Sequence, residues 1–97
     1  MDQLAQYQHY LVEEKKASGN TVSSYTRDVG QYFQWLSSEC LTSEAATQSD
    51  VDRYTKYLLS LGKSVSTVTR SLASLKSFYS YLQECRLVSA NPAKGLV

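Results

Sequence analysis

Val22, Tyr25, Val29, Tyr32, Phe33 and Leu36 fall at i, i+3, i+7, i+10, i+11 and i+14, an apolar stripe about four turns long that only an α-helix gathers onto one face. Three further segments repeat the period: Leu4, Tyr7 and Leu11; then Val51, Tyr54, Leu58 and Leu61; then Val68, Leu72, Leu75, Tyr79 and Leu82, with Phe78 at the edge of the stripe. No segment sustains the alternation of a half-buried strand, so the predicted fold class is all-α. The connections are short, which makes consecutive helices neighbours and predicts two helical hairpins packed together.

Punctuation refines the boundaries. Gly19-Asn20 reads as the stop of the first helix, with Asn20 or Thr21 capping the second. After the polar stretch from Glu39 to Gln48, Ser49 reads as a cap, followed by the dipole-matched acids Asp50 and Asp52. Gly62 stops the third helix. Ser64 or Ser66 caps the fourth, which runs to about Glu84. Asn91-Pro92-Ala93-Lys94 has the pattern of a cap and first turn of a further helix, so the chain is expected to lead into another domain. Residues 1–90 are then one domain and 91–97 the start of a linker.

Ninety-seven residues suit a single core. No apolar run approaches the ~18 residues of a membrane span, and Met1-Asp2-Gln3 does not open a signal peptide, so a cytoplasmic protein without membrane contact is expected. Cys40 and Cys85 lack metal-ligand spacing and are expected to be reduced. Enzyme templates fail in turn: there is no G-x-G-x-x-G, no P-loop, no G-x-S-x-G, and the single His9 has no ligand partner. No catalytic residue, metal or cofactor is therefore assigned. Tyr7, Tyr25, Tyr32, Tyr54 and Tyr79 lie on stripes and are predicted to be core. Trp35 falls off the stripe of its helix and must contact the first helix, another domain or solvent.

The net charge of +1 hides an asymmetry. Residues 1–48 hold three basic and six acidic side chains, a balance of −3, whereas residues 49–97 hold seven and three, a balance of +4. From Arg53 to Gln83 there is no acid. On the wheel of the fourth helix Ser66, Arg70, Ala73, Ser74 and Ser77 lie opposite Val68, with Thr69 and Lys76 on the flank. Small side chains there permit close approach of a partner, while Arg70 offers a fork of donors to a phosphate or a guanine edge. The second helix presents Ser24, Arg27, Gln31 and Gln34, led by Asn20 and Thr21. These faces suit either duplex DNA or a protein partner, the alternative being a helical interaction or oligomerisation module.

Asn20-Thr21, Tyr25, Arg27-Asp28, Phe33-x-Trp35-Leu36, Ser49-Asp50, the run Ser66-Thr67-Val68-Thr69-Arg70-x-Leu72-Ala73-Ser74-Leu75-Lys76-Ser77-Phe78-Tyr79-x-Tyr81-Leu82, and Asn91-Pro92-Ala93 together resemble the N-terminal core-binding domain of tyrosine recombinases. The likeness is to the Xer and phage-integrase type. It implies a four-helix SAM-like bundle that clamps double-stranded DNA together with a covalently linked catalytic domain, and neighbouring recombinase protomers on assembled DNA. The implied DNA-binding positions are Thr21, Ser24, Arg27, Lys63, Ser66, Thr67, Arg70, Ser74 and Lys76. The family's catalytic arginines, histidine and tyrosine have no counterpart in this chain. The parent recombinase would act without ATP or an obligatory metal. Where family members often carry paired basic residues this chain has Arg70-Ser71, so the isolated domain is expected to bind weakly, with strong salt dependence and slight sequence preference.

Overall fold

Three hydroxyl caps fix where the longer helices begin. The computed structural model describes residues 2–96; Met1 and Val97, the outer ends of the expected domain and linker, lie outside the described residues. The helices are α1 (Gln3–Glu13), α2 (Gly19–Ser38), α3 (Gln48–Ser60) and α4 (Val65–Glu84), and the described residues contain no strand. The all-α expectation of four helices is met.

The start of α2 differs from the sequence expectation, while that of α4 falls on Ser64, one of its two expected caps. Ser18 caps α2 by accepting from the Thr21 N–H, and Ser64 caps α4 by accepting from the Thr67 N–H. Each serine also donates to the hydroxyl of the threonine three residues on. The same S-x-x-T-V pattern therefore opens both helices, Ser18 to Val22 and Ser64 to Val68. Asn20 and Thr21 consequently lie inside α2, and Gly19-Asn20 starts that helix rather than stopping α1. The cap of α3 is Thr47, not Ser49, because Asp50 returns a bond to the Thr47 N–H and closes a capping box.

The helix ends explain why glycine was an incomplete guide. After α3 the Lys63 N–H reaches the Leu58 carbonyl and the Gly62 N–H reaches the Leu59 carbonyl, with Gly62 at φ +86°. This is the Schellman arrangement with its usual glycine. The ends of α2 and α4 make the same pair of bonds, but the left-handed position is held by Cys40 (φ 57°) and Arg86 (φ 60°). A side chain in that region is disfavoured by about 1 kcal/mol or more. Cys40 is exposed and free, so Cys40→Gly should stabilise the domain by about 0.5 to 1 kcal/mol, net of the entropy that glycine adds to the unfolded chain. Thermal denaturation under reducing conditions checks this, and an unchanged or lowered Tm contradicts it.

The hairpins α1/α2 and α3/α4 meet chiefly through α2 and α4. Asp28 meets Arg70 and Ser74, and a turn further on the Tyr32 ring lies edge-on to Tyr79 and the Phe33 ring to Phe78. The two helices thus run in the same sense across their contact. Tyr7, Tyr32, Tyr54, Tyr79 and Phe78 are fully buried, and their ring contacts link Trp35 through Tyr54, Tyr32, Tyr79 and Phe78 to Tyr7. Hydroxyls inside this row find partners: Tyr32 with Tyr79 at 2.7 Å, Tyr79 with the Ser43 carbonyl, and Tyr7 with Ser77. Tyr25 is only half-buried. Trp35 packs on α3, a contact outside the sequence expectation, against Tyr54, Tyr57 and the Arg53 guanidinium.

Beyond α4 the side chain of Asn91 accepts from the Ala93 N–H and donates to the Lys76 carbonyl. Asn91 thus caps the turn at residues 92–95 while pinning it to α4, with Ala93 fully buried.

Candidate nucleic-acid interface

Arg27, Gln31 and Gln34 recur at i, i+4 and i+7 on α2 and are all exposed, forming a row that side chains from the other hairpin border on both sides. At one end stands Arg70 of α4. Its Nε and Nη2 donate to the two carboxylate oxygens of Asp28, each at 3.2 Å, while the Arg27 Nε lies 3.9 Å from the same carboxylate. At the other end Lys63, in the turn between α3 and α4, lines a groove of about 330 Å³ with Gln31, Gln34, Trp35 and Tyr57. Lys63 has no ion pair among the described residues.

The electrostatics separate this band from α3. Arg53 is bound to Glu39 and Asp50, and Lys56 to Asp52, so those two cations are locally offset. Asp50 sits in the first turn of α3, where Thr47 bonds hold its carboxyl below the usual carboxylate range. By contrast, the first turns of α2 and α4 contain no acid. Their N-terminal partial charges are therefore not offset by a carboxylate within the first turn.

The sequence-predicted residues are distributed unevenly over this geometry. Arg27 and Arg70 come together around Asp28, and Ser24 continues the α2 row one turn towards the N-terminus. Thr21 and Thr67 are half-buried in the first turns, each tied to its capping serine. Ser66 is exposed one turn before Arg70. Lys76 stands apart, on the stripe of α4 it shares with Ser80, where Asn91 docks. Ser74 departs from the expectation altogether. It is fully buried and donates to Asp28 at 2.8 Å. Ser77, placed by the wheel on the same open face, is half-buried and accepts from Tyr7. The cause is the central position of α4, which is covered on more than one side; a single-stripe wheel assigns its small hydroxyl residues to solvent.

Sequence reasoning missed Asp28 as part of the site. Its side chain is fully buried, and the available signal was its register: it lies three residues after Tyr25 and four before Tyr32, within the buried stripe of α2.

Two paired hairpins carrying a cation-bordered, amide-bearing row define a small all-helical domain. The family described as "Phage integrase, N-terminal SAM-like domain" matches residues 4–84, and the chain belongs to that family. It is 32% identical over 93 residues to the tyrosine recombinase XerD of Chlorobaculum tepidum, covering 96% of this chain and 31% of that protein. It is 34% identical over 98 residues to the tyrosine recombinase XerC of Pelobacter propionicus, covering 97% and 32%. With the tyrosine recombinase XerD of Listeria innocua it shares 31% identity over 93 residues, covering 94% and 31%. The chain thus spans about a third of the length of these curated relatives. No solved structure matches the chain with significance. No helix of the described residues is long and apolar enough to cross a membrane.

Proposed function

We propose that this chain binds duplex DNA as the core-binding domain of a cytoplasmic tyrosine site-specific recombinase. Residues 1–90 form the binding unit and 91–97 begin the connection to a catalytic domain. The observation that carries this reading is the band of Arg27, Lys63 and Arg70 around the exposed α2 row, beside helix starts that contain no acid. Cations bordering an exposed helix row suit phosphate contacts, and the amides of Gln31 and Gln34 can donate to and accept from base edges in the major groove. Thr21, Ser24, Ser66 and Thr67 supply hydroxyls at the margins, Lys76 a more distant phosphate contact, and Ser74 acts from beneath through Asp28. Neighbouring protomers assembled on DNA would meet the exposed side of α1 around Val12.

The test is titration of labelled mixed-sequence duplex with the chain at low salt, repeated at rising salt. Binding should weaken steeply with salt. Arg70→Ala should reduce affinity by about 5- to 100-fold and lower the logarithmic salt slope by about one. Retention of wild-type affinity and slope by Arg70→Ala would remove Arg70 from the interface, and absence of salt-sensitive binding in the wild type would favour a protein partner.

A further inference from the structure

We propose that Asp28 is a positioning residue for DNA recognition, holding Arg70 so that one intact edge of its guanidinium faces the nucleic acid; this rests on the DNA-contact reading of Arg70 given above. A carboxylate with no exposed surface is costly to bury unless its oxygens are fully engaged. Asp28 is engaged by two guanidinium N–H groups and the Ser74 hydroxyl, with Arg27 close by. Arg70 nevertheless keeps 46% of its side chain exposed. It is anchored from below and open from above.

The pairing geometry determines what remains for a ligand. Guanidinium has five N–H donors. Asp28 takes the side edge, Nε and Nη2, leaving three donors, including one on each terminal nitrogen. Those two form the end-on fork, the edge that matches a phosphate or the O6 and N7 of guanine bidentately. A free arginine on a helix surface loses its rotamer freedom when it binds, whereas Arg70 is already ordered by Asp28 and Ser74. Asp28 therefore lowers the local positive charge and yet favours binding.

That combination gives an experiment in which simple electrostatics and positioning predict opposite signs. Asp28→Asn adds one unit of net positive charge. If Asp28 only offset the neighbouring cations, this variant would bind a mixed-sequence duplex more tightly. Positioning predicts that it binds at least ~5-fold more weakly at low salt, and that adding Arg70→Ala to it causes little further loss, because the two residues act as one unit. Arg70→Lys keeps the charge but not the fork, and should weaken binding with the wild-type salt slope retained. Helicity by circular dichroism is followed for each variant. Asp28→Asn binding as tightly as wild type or tighter, while Arg70→Ala weakens binding, overturns the positioning role and leaves the DNA-contact reading standing. Wild-type affinity in Arg70→Ala overturns both. Should Asp28→Asn fail to fold, Arg70→Lys decides alone: affinity equal to wild type refutes the need for a positioned fork.

Discussion

Phe78→Ala should destabilise the domain by about 4 kcal/mol, among the largest effects available to a single side chain in a core of this size. Phe78 is fully buried and meets three rings edge-on: Tyr7 from α1, Phe33 from α2 and Tyr79 on its own helix. Truncation removes the transfer energy of the ring and leaves a cavity where three helices converge, which rigid aromatic neighbours cannot close. Against a total stability of about 5 to 15 kcal/mol, the loss should lower the Tm by roughly 15 to 30 °C. Tyr25→Ala provides the contrast. That ring is half-buried at the edge of the core, and its removal should cost less than half as much. Chemical denaturation with unchanged m-values measures both, and a Phe78→Ala cost below about 1.5 kcal/mol would deny Phe78 its central place.

Phe78 also marks the limit of what the sequence discloses. The α2 stripe was legible because α2 buries one broad face with large apolar residues, and Val22, Val29, Tyr32 and Leu36 are all in the core. Helix α4 was only partly legible. It packs on α2 and α3, so a second arc containing Ser71, Ser74 and Phe78 is buried as well, and serines within it look like a solvent face on a wheel. Helix termination in the Schellman form was legible at Gly62 alone, since Cys40 and Arg86 adopt the left-handed conformation without announcing it. In the candidate interface Arg70 stood out by its charge. Its partner did not, because the Asp28 pairing spans 42 residues of sequence and local period carries no information about contacts between hairpins. The repeated S-x-x-T-V start of α2 and α4 was present in the sequence; it would have placed the α2 cap at Ser18 and chosen Ser64 over Ser66 for α4.

Raising the pH through the tyrosine range should unfold this domain cooperatively, before its buried phenols can ionise in place. Burial, only partly offset by the hydrogen bonds with Ser77 and Tyr79 respectively, pushes the Tyr7 and Tyr32 hydroxyls up to about 12. Burial raises Tyr54 and Tyr79 further, with additional repulsion at Tyr54 from Asp28 and at Tyr79 from Tyr32. In the unfolded chain all four ionise near pH ~10. Between ~10 and ~12 the folded state therefore holds more protons than the unfolded one, and stability must fall as pH rises. It is fully present below ~10. Each group contributes a slope of about 1.4 kcal/mol per pH unit, so four together approach about 5 kcal/mol per unit, comparable to the whole stability of a small domain. Ultraviolet absorbance of phenolate and far-ultraviolet circular dichroism, followed together against pH, should show one steep coincident transition above pH ~10. Tyr54→Phe removes one of the four groups and should flatten the slope by about a quarter. Gradual phenolate formation at constant helicity would contradict this coupling, since it would require the buried hydroxyls to shed their protons inside an intact ring cluster.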